Sequence, residues 1–307
     1  MRILISGSTG LLGTSLIESL RGTDDTPVRL MRPMSAGSGT DSGPARTVRW
    51  DPVSGEFESA AAEGADALVH LAGSSIADGR WSTARKNLLR SSRIDAARHL
   101  VGALSRLRRP PRVVVAASAI GYYGDRGEDW LTESSVPGSG FLPTLCCEWE
   151  AETARAGLFG ARVVMLRFGI ILARRGGALP RMALPFKLGV GGRFGSGRQW
   201  MSWLTLKETI AIIRFALSNS DLAGPVNAVT PHPVRNSDFT HILARTLRRP
   251  ALFPAPAFAL RLLLGEMADA LLLASQRVSP SRLEQVGYRF AAPDLTEALR
   301  EVFRKRD

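Results

Sequence analysis

The sequence predicts an α/β fold, a doubly wound parallel sheet with a small helical region on its C-terminal, substrate side. Three observations carry that expectation. A short apolar strand, Ile3-Leu4-Ile5-Ser6, runs directly into a glycine-rich turn and a helix start. Strand and helix patterns then alternate as far as Leu166, as right-handed βαβ units require. At 307 residues with 45% apolar content, the chain can build one large domain and a smaller appendage.

In chain order, strands are expected at Arg2–Ser6, Val28–Met31, Thr47–Trp50, Ala67–Leu71, Arg112–Ala117 and Arg162–Leu166. Helices are expected at Leu11–Arg21, from Thr83 to Leu107, and at Thr144–Gly157. A turn at Thr23–Asp25 closes the first helix. The Gly-, Ser-, Thr- and Asp-rich stretch Ser35–Gly43 reads as a loop. Beyond Leu166 the pattern loosens into glycine-rich and apolar segments, with a helix near Leu206–Ser218. From Pro254 onward short helices lead to an amphipathic one, Leu295–Phe303. The expected division is residues 1–230 for a nucleotide-binding domain and 254–307 for a C-terminal domain packed on it.

Composition excludes several classes. Mean hydropathy is +0.01. No apolar run has the length of a membrane span, and the nearest, Phe258–Leu264, is broken by Arg261. A strand starting at residue 2 leaves no room for a secretory leader, so a cytoplasmic location is expected. Cys146 and Cys147 are neighbours, which suits neither a disulfide framework nor a metal site, and no metal is expected. The net charge of +12 is almost all arginine, the only lysines being Lys86, Lys187, Lys207 and Lys305. The basic residues are scattered, with local clusters at Arg106-Arg108-Arg109, Arg174-Arg175 and Arg245-Arg248-Arg249, and no aromatics are interleaved with them as a stacking surface requires. Neither a specific nucleic-acid partner nor a membrane partner is expected.

The first turn, Gly7-Ser8-Thr9-Gly10-Leu11-Leu12-Gly13, has the parts of a Rossmann dinucleotide site. Gly7 allows a tight turn, Gly10 lets backbone approach a pyrophosphate, and Gly13 lets helix pack closely on strand. The helix start supplies unpaired N–H groups for the phosphates. Its Gly-x-x-Gly-x-x-Gly spacing resembles that of extended and atypical short-chain dehydrogenase/reductases. The second strand ends Met31-Arg32-Pro33 without a carboxylate. An acid there binds a ribose diol and an arginine accommodates a 2′-phosphate, so Arg32 favours NADP over NAD. The next wall is His70-Leu71-Ala72-Gly73, where small residues let backbone pass close to the ribose and nicotinamide end.

The catalytic pattern of such reductases, Tyr-x-x-x-Lys, is missing. Of Tyr122, Tyr123 and Tyr288, none has lysine four residues on. What remains is Ala117-Ser118-Ala119-Ile120-Gly121-Tyr122-Tyr123-Gly124-Asp125. Ser118 matches a substrate-facing hydroxyl, and Tyr122 or Tyr123 is a candidate acid, with Glu133 and Glu148 as nearby proton-transfer candidates.

With these residues in view, the chain resembles the atypical short-chain dehydrogenase/reductases labelled nucleoside-diphosphate-sugar epimerases with a C-terminal domain of unknown function (DUF1731). The matching stretches include Gly7–Gly13, Trp50-Asp51-Pro52, His70–Gly73, Arg90-Ser91-Ser92-Arg93, Ser118–Asp125 and Glu148-Trp149-Glu150. Others are Arg167–Leu172, Leu184–Gly192, Gly195–Gln199, Trp203, Gln276–Pro280 and Gly287–Phe290. That family also lacks Tyr-x-x-x-Lys. The resemblance implies an NADP-type cofactor on Gly7–Gly13, Arg32, Leu71, Ala72, Arg93 and the backbone near Ile171. A dimer through the long helices is a further analogy of fold. Where relatives carry a Trp-Ile-His-x-x-Asp-like segment, this chain has Trp203-Leu204-Thr205-Leu206-Lys207-Glu208, which leaves that segment without an assigned role.

Two functional classes stay open. One is an NADP(H)-dependent oxidoreductase or epimerase acting on a small polar molecule such as a nucleotide sugar. The other is an NADP(H)-binding sensor or scaffold with little turnover. The glycine- and arginine-bearing segment Gly189–Arg198 favours the first, and the missing dyad the second.

Overall fold

The computed structural model describes residues 1–32 and 46–304, so the loop expected at Ser35–Gly43 lies outside the described residues. The central sheet contains β1 (Arg2–Ser6), β2 (Thr26–Met31), β3 (Arg46–Arg49), β4 (Ala67–His70), β5 (Val113–Ala119), β6 (Arg162–Phe168) and β7 (Gly224–Ala228). Its order is β7-β6-β5-β4-β1-β2-β3, and each neighbouring pair is parallel. Connectivity reverses between β1 and β4, and in such sheets ligands bind where the strand ends part.

The strands are buried on both sides because helices cover both sides, which is why they read as continuous apolar runs. Ile3, Ile5, Val69 and Val115 pack with Leu16 and Ile17 of α1 (Leu11–Ser19). Leu4, Leu68 and Val114 face the opposite way, toward Leu100 and Leu104. Those two leucines belong to a rod that the sequence shows as one helix. The structure divides it into α2 (Thr83–Arg90), a π-helical turn Ser91–Asp95, and α3 (Ala96–Leu104). The next helix, α4 (Phe141–Ala154), starts before Thr144 because Pro143 sits in its first turn, where a missing N–H costs nothing.

The remaining helices of eight or more residues among those described are α5 (Leu179–Lys187), α6 (Leu206–Ser218), α7 (Asn236–Leu247), α8 (Ala257–Leu264) and α9 (Leu295–Phe303). Thr205 caps α6 by accepting from Glu208 N, which gives that departure from the Trp-Ile-His pattern a structural task. Ile210 and Ile213 of α6 join α1 over the sheet. The strand β7 was not expected. Its Gly-Pro-Val-Asn-Ala sequence lacks an apolar run, and proline is tolerated there because β7 is an edge strand paired only with β6. Among the described residues no helix is long and apolar enough to cross a membrane.

The C-terminal segment packs on the rest of the chain throughout its length. Leu295, Ala298 and Leu299 of α9 bury against Phe239 and Leu243 of α7. Arg277–Val278 adds a short strand beside Trp130–Leu131. Gln276 Nε2 donates to the carbonyls of Ile120 and Gly124, each at 3.0 Å. Carboxylates from earlier in the chain receive its backbone N–H groups. Asp125 accepts from Ser275 N at 2.9 Å and Glu133 from Arg282 N at 3.2 Å. Glu208 accepts from the Tyr288 hydroxyl at 2.5 Å and from Ala291 N and Ala292 N at 3.0 and 3.4 Å.

Glu208 is buried, so Glu208→Ala removes the acceptor of three donors, of which the Ala292 N–H is buried, and is expected to cost on the order of 2 kcal/mol. A urea-unfolding midpoint equal to that of the parent would show that the clamp adds nothing.

Candidate functional site

The glycine turn sits at the carboxyl end of β1. Gly7 has φ +66°, and a Cβ there would lie 2.8 Å from the Leu71 carbonyl carbon and 2.9 Å from Ala72 N. The exit of β4 therefore passes directly over the turn, and any side chain at Gly7 would push the two apart. A Cβ at Gly13 would lie 2.3 Å from Gly7 O, so only glycine lets α1 press on the strand end. Thr9 and Gly10 are exposed. Gly10 is the N-cap of α1, and no side chain caps the helix. Its first-turn N–H groups are thus left for a ligand.

The walls of the turn are held by short polar contacts. Ser8 Oγ donates to Met31 Sδ at 3.3 Å, tying the turn to the end of β2. Ser6 Oγ receives Leu71 N and Ala72 N and lies 2.6 Å from His70 Nδ1. With both acceptor positions filled, the serine hydroxyl donates to Nδ1, which places the imidazole proton on Nε2. Burial draws the His70 pKa down to about 4. On the far wall, a Cβ at Gly177 would lie 3.4 Å from the Leu11 side chain and 3.7 Å from Ile171 O, so Ile171 comes to the start of α1.

Arg93 stands in the π-helical turn, a geometry often found at functional sites. Its guanidinium would lie 3.3 Å from a Cβ at Gly73. It donates to the Ser74 carbonyl at 2.9 Å and rests over the Trp149 ring at 5.4 Å. No carboxylate pairs with it among the described residues, and burial lowers its pKa from the ordinary value. Arg32 is exposed just past β2. The nearby Asp51 carboxyl is held below the usual carboxylate range first by Val53 N–H and the Ser54 hydroxyl, with a smaller contribution from the Arg32 charge. The lining of the crevice is thus backbone N–H groups and guanidinium groups. That donor set fits a polyanionic dinucleotide.

Beyond this end lies a polar network that the sequence reading did not foresee. Ser118 is buried and donates to Glu150 Oε1 at 2.6 Å. Arg167 grips the same carboxylate with Nε and Nη2, each at 2.8 Å. Burial opposes the Arg167 charge, but the two-point contact with Glu150 more than offsets it, and its pKa lies above the ordinary value. Arg167 Nη1 donates to the Tyr123 hydroxyl at 3.0 Å, and its guanidinium stacks 3.4 Å from the Tyr122 ring centroid. Tyr123 in turn donates to Asn227 Oδ1 at 2.7 Å. Burial pushes its phenol up to about 12.

The candidates for chemistry therefore have unequal settings. Ser118 stands at the end of β5 with its proton directed to Glu150. Tyr123 is fully buried, with its hydroxyl turned into the network. Tyr122 is half-buried under Arg167. Glu133 receives Asn227 N and Arg282 N on one oxygen, and its other oxygen is buried without a partner. Glu148 instead pairs with Arg90 across α2 and α4, at 2.5 Å. The slots of the missing dyad hold Leu142 and Cys146, both buried. One sequence signal does mark the network. Arg167 follows the apolar run Val163-Val164-Met165-Leu166 near the end of a mostly buried strand, and such an arginine requires a carboxylate. Among the described residues no group of His, Cys, Asp and Glu is placed to hold a metal ion.

A parallel sheet with an uncapped glycine turn at its switch point defines a dinucleotide-binding protein of Rossmann type. Comparison with known proteins then gives the family. The model for the NAD dependent epimerase/dehydratase family matches residues 3–229, and that for the domain of unknown function DUF1731 matches residues 255–302. The chain belongs to the NAD-dependent epimerase/dehydratase family. An epimerase family protein of Mycobacterium bovis is 41% identical over 297 residues, covering 97% of this chain and 96% of that protein. The crystal structure of the human epimerase family protein SDR39U1 with NADPH superposes with a TM-score of 0.87 at 30% identity, covering 98% of this chain and 99% of that one. A nucleoside-diphosphate sugar epimerase from Corynebacterium glutamicum is 33% identical with a TM-score of 0.78, covering 98% of this chain and 58% of that one.

The neutral His70 gives the site a measurable acid response. Unfolded chains take up a proton at the ordinary histidine value of 6.5, whereas the folded protein does so only near 4. Stability should therefore fall as pH drops from 6.5 to 4, by about 3 kcal/mol from this residue. Denaturant titrations of parent and His70→Asn across that range check it. Parallel pH profiles for the two proteins would contradict the assignment.

Proposed function

We propose that the chain binds NADP(H) at the glycine turn and acts as an oxidoreductase or epimerase on a small polar substrate, with nucleotide sugars the favoured class. The observation that carries this reading is the exposed Arg32 at the end of β2, beside an uncapped helix start and with no carboxylate closing that strand. NADPH in the human relative supports it. The cofactor would be held by the backbone of Gly7, Ser8, Thr9, Gly10, Leu11, Leu12 and Gly13, by Arg32 and Arg93, and by Leu71, Ala72, Gly73, Ser118 and Ile171. Once bound, it supplies a hydride donor or acceptor. Ser118 gives its proton to Glu150, so its remaining lone pairs suit a substrate hydroxyl better than a substrate carbonyl. The sugar-nucleotide class rests on the Corynebacterium relative.

A second reading, an NADP(H) sensor or scaffold with little turnover, has its own supporting observation. The hydroxyl protons of Ser118 and Tyr123 are both committed to internal acceptors, and no lysine stands by to activate a phenol.

Fluorescence titration with NADPH and NADH tests the cofactor. Arg32→Ala is expected to weaken NADPH by about 2 kcal/mol, the loss of one charge-assisted contact, and to leave NADH nearly unchanged. Gly10→Glu is expected to abolish binding of both. Equal losses in Arg32→Ala would overturn the NADP preference, and undiminished binding in Gly10→Glu would make the turn purely structural.

Turnover separates the two readings. Nicotinamide absorbance is followed with a panel of nucleotide sugars, and Ser118→Ala is expected to slow any active substrate on the order of 10²-fold. Binding without turnover on any substrate would favour the sensor.

A further inference from the structure

Large exposed apolar side chains gather on α5, on α8 and on the loops that join them to their neighbours. Leu184, Leu188 and Val190 stand on the end of α5 and the loop after it, with Leu188 69% exposed. Leu252, 73% exposed, and Phe253 lie against that loop. Phe253 N donates to Gly191 O at 3.1 Å, and Ala255 N to Arg193 O at 2.9 Å. The chain then enters α8, which turns Leu260 inward and presents Phe258, Leu262 and Leu263 to solvent.

The charges on this face are mostly basic, although Asp78 pairs with Arg181 of α5 and Asp269 with Arg261 of α8. Residues 174–207 and 239–265 contain no aspartate or glutamate. Lys187 and Arg193 are exposed among the leucines. Next to Leu252 is an open hollow of about 730 Å³ walled by Arg245, Arg248 and Arg249 together with His241 and Ile242. Asp238, at the start of α7, is the one carboxylate on its wall. None of the three arginines forms an ion pair with a described residue. Arg248 closes α7 with φ +55°, the sole non-glycine residue with positive φ among those described. A left-handed arginine is strained where glycine would not be.

We propose that this face docks on an anionic lipid bilayer. The phenylalanine and leucine side chains would enter the headgroup boundary while Lys187, Arg193 and the three hollow-lining arginines meet lipid phosphates. Charge complementarity selects this occupant. A second copy of the chain would bring the same positive face against itself. A bilayer asks only for apolar depth and negative charge, neither of them directional, and those are what the face offers. Such attachment is peripheral and needs no spanning helix. The docking face shares Val190 and Arg193 with the Gly189–Arg198 segment but uses none of the residues placed on the cofactor.

Flotation of the full-length protein with vesicles tests the proposal. Binding is expected to phosphatidylglycerol vesicles at low salt, weakening as salt is raised, with little binding to phosphatidylcholine vesicles. The double variant Arg245→Glu/Arg249→Glu should lower partitioning on the order of 30-fold or more, since each basic residue near such a surface contributes roughly a factor of five. Leu252→Ser/Phe253→Ser should also weaken it, with circular dichroism and NADPH binding unchanged. Absence of flotation with phosphatidylglycerol at low salt would overturn the proposal. So would flotation insensitive to both variants, or light scattering that shows a dimer which Leu252→Ser/Phe253→Ser turns into a monomer.

Discussion

The ion pair between Glu150 and Arg167 is the contact on which the substrate end of the crevice depends. It lies out of water, and two charges so placed are tolerable only if each is fully matched. The match is close. One carboxylate takes two guanidinium nitrogens and the Ser118 hydroxyl, while the remaining guanidinium nitrogen goes to Tyr123. Through these bonds the pair joins α4 to the ends of β5 and β6. Asn227 of β7 carries the chain of contacts onward by donating from Nδ2 to Ser279 O at 2.9 Å. Taking away either charge would leave the other buried and uncompensated, and the strand ends that flank the crevice would lose their common anchor.

The two ends of the crevice differ in chemical character. At the glycine turn, helix N–H groups and an arginine are left with spare donor capacity, which is what a phosphate-bearing ligand consumes. At the Ser118 end nearly every polar atom is already spent within the protein. A tyrosine–lysine pair leaves a phenol poised to exchange protons near neutrality. Here the buried phenol of Tyr123 resists ionisation, and the cysteine in the lysine slot, also buried, is pushed up to about 12. The site is strongly equipped to hold a cofactor and sparsely equipped to move protons. Any chemistry at Ser118 therefore works through a hydroxyl whose proton is directed away from the ligand side.

Much of the fold was legible because a parallel sheet covered on both faces leaves unbroken apolar runs, as in Ile3-Leu4-Ile5 and Val113-Val114-Val115. The turn from Gly7 to Gly13 was legible because its glycines answer to local geometry. What escaped depends on partners far apart in the chain. Nothing in Gly-Pro-Val-Asn-Ala announces a strand, since β7 owes its place to pairing with β6. The Glu150–Arg167 pair joins two elements whose periodicities do not refer to each other. The Arg245-Arg248-Arg249 cluster was visible in the sequence, but its apolar surroundings were hidden for the same reason. A periodic pattern shows which side of α8 is apolar, but only the assembled fold shows that Phe258 and Leu262 are left outside it. The lack of an apolar run of spanning length has no bearing on a surface contact.

The carboxylate clamps on the C-terminal segment have a consequence for the order of assembly. Asp125, Glu133 and Glu208 are all synthesised well before the N–H groups of Ser275, Arg282, Ala291 and Ala292 that they receive. Until those residues leave the ribosome, the three acids lack these partners, and the regions around them are expected to stay open to water. The nucleotide-binding half can form its sheet early, since its helices and strands follow one another closely. Its substrate side can close only when the last stretch of chain arrives and exchanges water for backbone. A nascent chain of this protein is thus expected to pass through a stage with a finished cofactor end and an unsealed flank, and during that stage chaperones or proteases would find it accessible.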